Sequence, residues 1–114
     1  MTQITRYETG RRMSQCVVHG GLVYLAGQVG AGETITEQTA ATLAEIDRLL
    51  ALAGTDKTRL LTAQVWLADI ADFEGMNSVW DKWVAEGHAP TRATGEIPLA
   101  LPEVRVEIIV VAAL

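Results

Sequence analysis

Charged side chains able to hold a ligand gather near the end of the chain, in P-T-R-A-T-G-E-I-P-L-A-L-P-E-V-R-V-E-I-I-V-V from Pro90 to Val111. Glu107 stands between Val106 and Ile108 in a run that otherwise reads as buried β-strand. A lone buried carboxylate is costly, so it calls for a cation or hydrogen-bond donors. Arg105 is two residues away, on the same face if the strand runs from Val104 to Ala113, and Arg92 lies on the preceding predicted strand. A guanidinium grips a carboxylate through two parallel hydrogen bonds, whether that carboxylate belongs to Glu107 or to a bound molecule. Spacing alone leaves two readings open: a structural ion-pair set at a sheet edge or subunit interface, and a site for a small carboxylate.

Other chemistry finds little support. The chain has no G-x-S-x-G elbow, no G-x-x-x-x-G-K-[ST] phosphate loop, no H-E-x-x-H and no G-x-G-x-x-G, so no cofactor or metal is expected. His19 and His88 are isolated and read as surface residues. Cys16 is the single cysteine, which excludes an intramolecular disulfide and a cysteine-based zinc site and suits a reducing cytoplasm. With a net charge of −5 and a pI near 4.9, the surface should repel nucleic acid and anionic lipid. Arg11 and Arg12 form too small a basic cluster to reverse that. The first twelve residues carry no signal-peptide core, and no apolar run approaches the ~20 residues of a membrane span. The expectation is a soluble cytoplasmic protein with neither nucleic acid nor membrane as partner.

The elements that must position these residues follow from periodicity. The 114 residues, 49% of them apolar, suit one domain spanning 1–114. Ile4 to Tyr7 reads as a short edge strand. Cys16–His19 and Leu22–Gly27 flank Gly20-Gly21 as a β-hairpin. Thr34 and Glu37 have capping-box spacing, and Ala40, Leu43, Ile46, Leu50 and Ala53 predict a helix over Thr36 to Leu52 closed by Gly54. Arg59 to Ala68 reads as a central strand covered on both faces. Asp69 or Asp72 should cap a second helix with a stripe of Phe73, Met76, Trp80, Trp83 and Val84, closed by Gly87. Thr91–Ile97 and Val104–Ala113 then complete a ββ-α-β-α-ββ order.

That order predicts a two-layer α+β domain, a mixed sheet with both helices on one face. With Val65, Leu67, Val106, Ile108 and Val110 assigned to it, the second face is predicted to be too apolar for water, so a further copy of the chain should cover it.

Four phrases, S-Q-C-V-V-H-G-G-L-V-Y-L-A-G-Q-V (Ser14 to Val29), D-F-E-G-M-N-S-V-W (Asp72 to Trp80), P-T-R-A-T-G-E-I (Pro90 to Ile97) and V-R-V-E-I (Val104 to Ile108), resemble the RidA/YjgF/L-PSP family in order and spacing. The resemblance implies a chorismate mutase-like fold, a homotrimer with ligand clefts at its subunit interfaces, and hydrolysis of reactive 2-imino or enamine acids to 2-oxo acids and ammonia without a cofactor. It implies that Arg92 clamps the substrate carboxylate and that Glu107 positions and activates water. It further implies that Asn77, the Ala26-Gly27 pair and Thr94, where many members carry cysteine, line the cleft. Met13 stands where many members have a tyrosine in P-Y-S-Q, so the phenol hydroxyl is lost there. This departure keeps a second function in view, a small-carboxylate-binding trimer without deaminase activity. A third, the ribonuclease activity in the L-PSP name, suits an acidic chain without a histidine pair poorly.

Overall fold

In the computed structural model, which describes residues 3–114, the strands are β1 (Thr5–Thr9), β2 (Ser14–His19), β3 (Leu22–Leu25), β4 (Leu60–Leu67), β5 (Thr91–Glu96) and β6 (Val106–Ala113). Helix α1 (Ile35–Ala53) follows β3 and α2 (Phe73–Trp83) follows β4, each strand-helix junction near β4 carrying a short 3-10 turn, Lys57–Arg59 and Ile70–Asp72. The strands form one sheet in the order β1-β2-β3-β6-β4-β5. All neighbours are antiparallel except β4 and β5, whose parallel pairing uses α2 as the crossover such strands require. The predicted two-layer α+β arrangement holds, with two helices packed on a mixed six-stranded sheet.

Local signals explain most of the elements. Gly20 and Gly21 have φ of 60° and 80°, the left-handed pair that a two-residue hairpin turn demands. At the start of α1, Thr34 Oγ1 accepts the Glu37 N–H at 3.1 Å, while Glu37 Oε1 accepts the N–H groups of Thr34 at 3.1 Å and Glu33 at 3.0 Å. Gly54, at φ 93°, ends the helix. The buried face of α1 is rotated from the predicted stripe: Ala40 is exposed, and Gln38, Thr39 and Thr42 go inside with Leu43, Ile46, Leu49 and Leu50. The hydroxyls of Thr39 and Thr42 donate to the carbonyls of Ile35 and Gln38, each at 2.7 Å, so they enter the core already bonded.

Helix α2 departs further from expectation. Asp69 caps the preceding 3-10 turn by accepting the Ala71 N–H at 2.9 Å, and Asp72, at the cap of α2 itself, makes no side-chain cap bond. The helix stops at Trp83, four residues before Gly87. Val84 turns to extended backbone (φ −60°, ψ 136°) yet still packs on the core, so the apolar stripe outlasts the helix.

The period-two alternation of the strands overturns one sequence argument. Val65, Leu67, Val106, Ile108 and Val110 are all fully buried beneath the helices rather than on the second face. The open face of β4 and β6 carries Thr62, Gln64 and Trp66, paired with Val111, Ile109 and Glu107. Thus β4 is covered on one face only within the chain, with Thr62 and Gln64 exposed. The apolar content of the open face comes instead from Trp66, Ile109, Val111 and Tyr24. No helix among the described residues is long and apolar enough to cross a membrane.

Replacing Thr34 with Ala should destabilise the fold by about 1 kcal/mol, read as a lower urea midpoint at constant slope; an unmoved midpoint would show that the box contributes nothing. The N–H bonds from Glu33, then Thr34, hold the Glu37 carboxyl below its usual 4.5. Its folded pKa being depressed, the stabilisation is complete above 4.5 and is lost as the pH falls through the folded value. A stability gap between wild type and Glu37→Gln should therefore exist at neutral pH and close on acidification; a gap constant down to acid unfolding would contradict this.

Candidate functional site

Arg92 is the second residue of β5, and the parallel register sets it beside Ala63 of β4, with Thr94 beside Val65. Since Ala63 and Val65 face the helices, Arg92 and Thr94 do too, and α2 lies beneath them. The Arg92 guanidinium carbon sits 5.2 Å from the Trp80 ring centroid and 5.9 Å from that of Phe73, and Nη1 reaches Met76 Sδ at 3.9 Å. This is a cation–π bed. It occupies the face of the guanidinium and one Nη1 proton, and leaves the remaining N–H donors of the planar fork for an anion. The ion pairs among the described residues are Arg48 with Glu8 and Glu45, and Arg105 with Asp72; none takes Arg92. Asn77 follows Met76 on α2, and its buried Oδ1, like the buried Oγ1 of Thr94, has no hydrogen-bond partner. The Arg92 side of the sheet therefore holds a cation and two polar atoms whose bonding capacity is unmet.

Glu107 occupies the other face. It is half-buried and sits opposite Trp66 across the β4–β6 ladder. The corner after β3 folds over it: Ala26 N–H donates to Gln15 O at 3.0 Å, Gln28 exchanges backbone bonds with Ile108 at 2.9 and 3.0 Å, and Gln28 Nε2 donates to Gln15 Oε1 at 2.9 Å and Ala26 O at 3.0 Å. Between these ties lies Gly27, where a Cβ would overlap the Glu107 carboxylate. Gly27 is thus the residue type that lets the carboxylate lie against the main chain. Met13 precedes β2 by one residue and is 47% exposed.

The sequence-predicted residues consequently divide into two half-sites. Arg92, Thr94 and Asn77 lie on the helix side, Glu107 with Gly27 and Ala26 on the open side, and β4 runs between β5 and β6. Among the described residues no hydrogen bond joins Met13 to either half. The expectation that Arg105 shares a strand face with Glu107 and neutralises it is corrected: β6 begins at Val106, and Arg105, outside it, directs its guanidinium to Asp72 at 3.0 and 3.2 Å. Glu107 has no ion-pair partner among the described residues. The aromatic bed of Arg92 escaped the sequence reading because Phe73, Met76 and Trp80 look like ordinary core stripe, and only the parallel β4–β5 pairing puts the arginine above them. Trp66 escaped it too, since facing Glu107 is a matter of register.

The family described as Endoribonuclease L-PSP matches residues 3–114. The chain belongs to the RidA/YjgF/L-PSP family. A RutC family protein of Haemophilus ducreyi is 45% identical over 113 residues, 97% of each chain. The crystal structure of a YjgF-family protein from Neisseria meningitidis matches with a TM-score of 0.96 at 48% identity, covering 97% of this chain and 94% of that one. The two helices on a mixed six-stranded sheet are therefore the YjgF-family, chorismate mutase-like fold. A more distant relative is the chloroplastic Reactive Intermediate Deaminase A of Arabidopsis thaliana, 27% identical over 109 residues, 89% of this chain and 58% of that one.

Two glycine substitutions should separate site from scaffold. At Gly30 a Cβ would meet Ala41 Cβ and the Thr42 backbone nitrogen at 2.6 Å, so Gly30→Ala should cost about 1 to 3 kcal/mol. At Gly27 the obstacle is the mobile end of Glu107, so Gly27→Ala should leave thermal stability nearly unchanged while a crystal structure finds the carboxylate displaced. Equal destabilisation by both would refute the assignment of Gly27 to the site.

Proposed function

We propose that this protein hydrolyses reactive 2-imino and enamine acids to 2-oxo acids and ammonia, in clefts that two copies of the chain complete together. The observation that carries the reading is the back-to-back placement of an unpaired guanidinium and an unpaired carboxylate on opposite faces of one sheet. One chain cannot present both to a single small molecule, whereas the Arg92 half of one copy and the Glu107 half of the next can. The homotrimer implied by the family resemblance supplies such a head-to-tail ring, and it covers the open face bearing Trp66, Ile109, Val111 and Tyr24. The Arabidopsis relative, named as a reactive intermediate deaminase, supports the same chemistry.

In this mechanism the Arg92 fork binds the substrate carboxylate in two parallel hydrogen bonds while Trp80 and Phe73 hold it from behind. Glu107 takes a proton from a water whose oxygen attacks the imine carbon and passes that proton to the imine nitrogen as the C=N double bond becomes single, giving a carbinolamine. The same carboxylate then takes the carbinolamine hydroxyl proton and delivers it to the amino nitrogen, so that the C=O double bond forms as the C–N bond breaks and ammonia leaves. Enamine substrates enter by protonation at carbon to the imine. Gly27 keeps room for the carboxylate at the main chain, and Thr94 and Asn77 line the carboxylate side. With Met13 where many members carry tyrosine, water positioning falls to Glu107 and the backbone near Gly27.

The test generates 2-iminobutanoate or 2-iminopropanoate in situ and follows 2-oxo acid release. Arg92→Ala should lose at least about tenfold in kcat/KM, the worth of a charge-assisted clamp, and Glu107→Gln about 100-fold or more. Wild type no faster than buffer, with Arg92-dependent binding of 2-oxo acids by calorimetry, would instead identify a carboxylate-binding protein without turnover. The shared cleft has its own test. An equal mixture of Arg92→Ala and Glu107→Gln chains, refolded together, should regain about a quarter of wild-type activity, since each site draws its two halves from different chains. No recovery would place both groups in one chain's site and defeat the shared cleft.

A further inference from the structure

Two of the three charges of the Pro90–Val111 stretch that the catalytic reading leaves unused, Glu96 and Arg105, converge on one short segment. Glu96 Oε1 accepts the Ile70 N–H at 2.8 Å. Arg105 donates from Nε and Nη2 to the two carboxylate oxygens of Asp72 at 3.2 and 3.0 Å, a forked pair in which the Asp72 side chain is only 13% exposed. Ile70–Asp72 is the 3-10 turn that leads directly into α2. The residues that follow are Phe73, Met76, Asn77 and Trp80, the bed and flank of Arg92.

Arg105 is itself held at several points, with its side chain still 42% exposed. Its backbone N–H donates to Gln38 Oε1 at 2.8 Å, its carbonyl accepts the Ala68 N–H at 3.0 Å, and Nη1 reaches the Glu33 carbonyl at 3.3 Å. Gln38 is buried, and its amide donates to the carbonyls of Gly32 at 3.1 Å and Glu103 at 2.8 Å. The start of β6, the loop before α1 and the entry of α2 thus meet at one guanidinium. Strand β5 meanwhile grips α2 at two points on one face, through Arg92 in the middle of the helix and Glu96 at its entry. Asp72 stands at the cap position of α2 but spends its carboxylate on Arg105 rather than on the helix N–H groups. A capping bond is forgone in favour of a tie to another element, which points to placement of the helix rather than its local stability.

We propose that Arg105 and Glu96 are positioning residues for the carboxylate clamp: by fixing the entry of α2 they set the aromatic bed at the depth that keeps the Arg92 fork aimed into the cleft. The idea rests on the carboxylate reading of Arg92 and deepens it. Small misplacements of a binding group are felt as large losses of affinity, whereas a stabilising contact elsewhere is not felt in the site at all.

The test compares the affinity of 2-oxobutanoate with that of its uncharged amide by calorimetry, each variant being measured well below its own unfolding temperature. Wild type should favour the acid. Arg105→Ala and Glu96→Ala should each narrow that preference about tenfold, Arg105→Lys, which keeps the charge but not the fork, should fall between, and the exchanged pair Arg105→Asp with Asp72→Arg should restore part of it. Arg48→Ala breaks the ties to Glu8 on β1 and Glu45 on α1, neither of them on α2, and it should lower thermal stability with the preference intact. A wild-type preference retained in full by both Arg105→Ala and Glu96→Ala, whatever their stability, would overturn the positioning role alone. A wild type that binds acid and amide equally would remove the Arg92 clamp and this inference with it.

Discussion

Side chains alternate across a β-strand, and this single geometric constraint governs what the molecule can do. The parallel register of β5 on β4 puts Arg92 on the same side as Ala63, beneath which lie the helices. The antiparallel register of β6 on β4 puts Glu107 beside Trp66, on the side the helices leave bare. A shift of one residue in either ladder would reverse the corresponding assignment. With the registers as they are, guanidinium and carboxylate point away from each other through a sheet one residue thick.

Each charge is held in a surrounding suited to an absent counterpart. Arg92 lies over two aromatic rings and a thioether, which attract a cation through its face but cannot neutralise it. Glu107 lies in a corner shaped by Gly27, with an indole as its cross-strand neighbour and no cation within reach among the described residues. Half-buried charges left in this way favour association with whatever completes them. In the function we propose, assembly and substrate binding are two aspects of one electrostatic problem.

The charged network around Arg105 shows how the same sheet also organises its own helix layer. Its bonds join the turn before α2, the first turns of α1 and the entry to β6, three segments far apart in sequence. The Arg48 cluster, by contrast, ties the exposed side of α1 to β1 through Glu8, with Glu45 of the same helix as second partner, in water, where screening leaves such pairs weak. The two sets look alike on paper and differ in burial, and it is the partly enclosed one that touches the elements of the site.

What the chain determined without its structure was local. The Gly20-Gly21 turn, the Thr34–Glu37 capping box, the Gly54 cap and the residues of the family phrases are all read within a few positions of one another, because hydrogen bonds over three or four residues and left-handed backbone depend on neighbours alone. Helix stripes were legible in outline, though the buried face of α1 turned toward Thr39 and Thr42, whose hydroxyls bond back to the helix and so lose their polarity. Glu107 announced itself as a carboxylate in need of company. Its lack of an ion-pair partner among the described residues did not, nor did the turn of Arg105 toward Asp72, nor the aromatic bed of Arg92. Those depend on which strand lies beside which, in what direction and register. Such pairings join residues distant in sequence, Ala63 with Arg92 and Trp66 with Glu107, and only the packed sheet decides them.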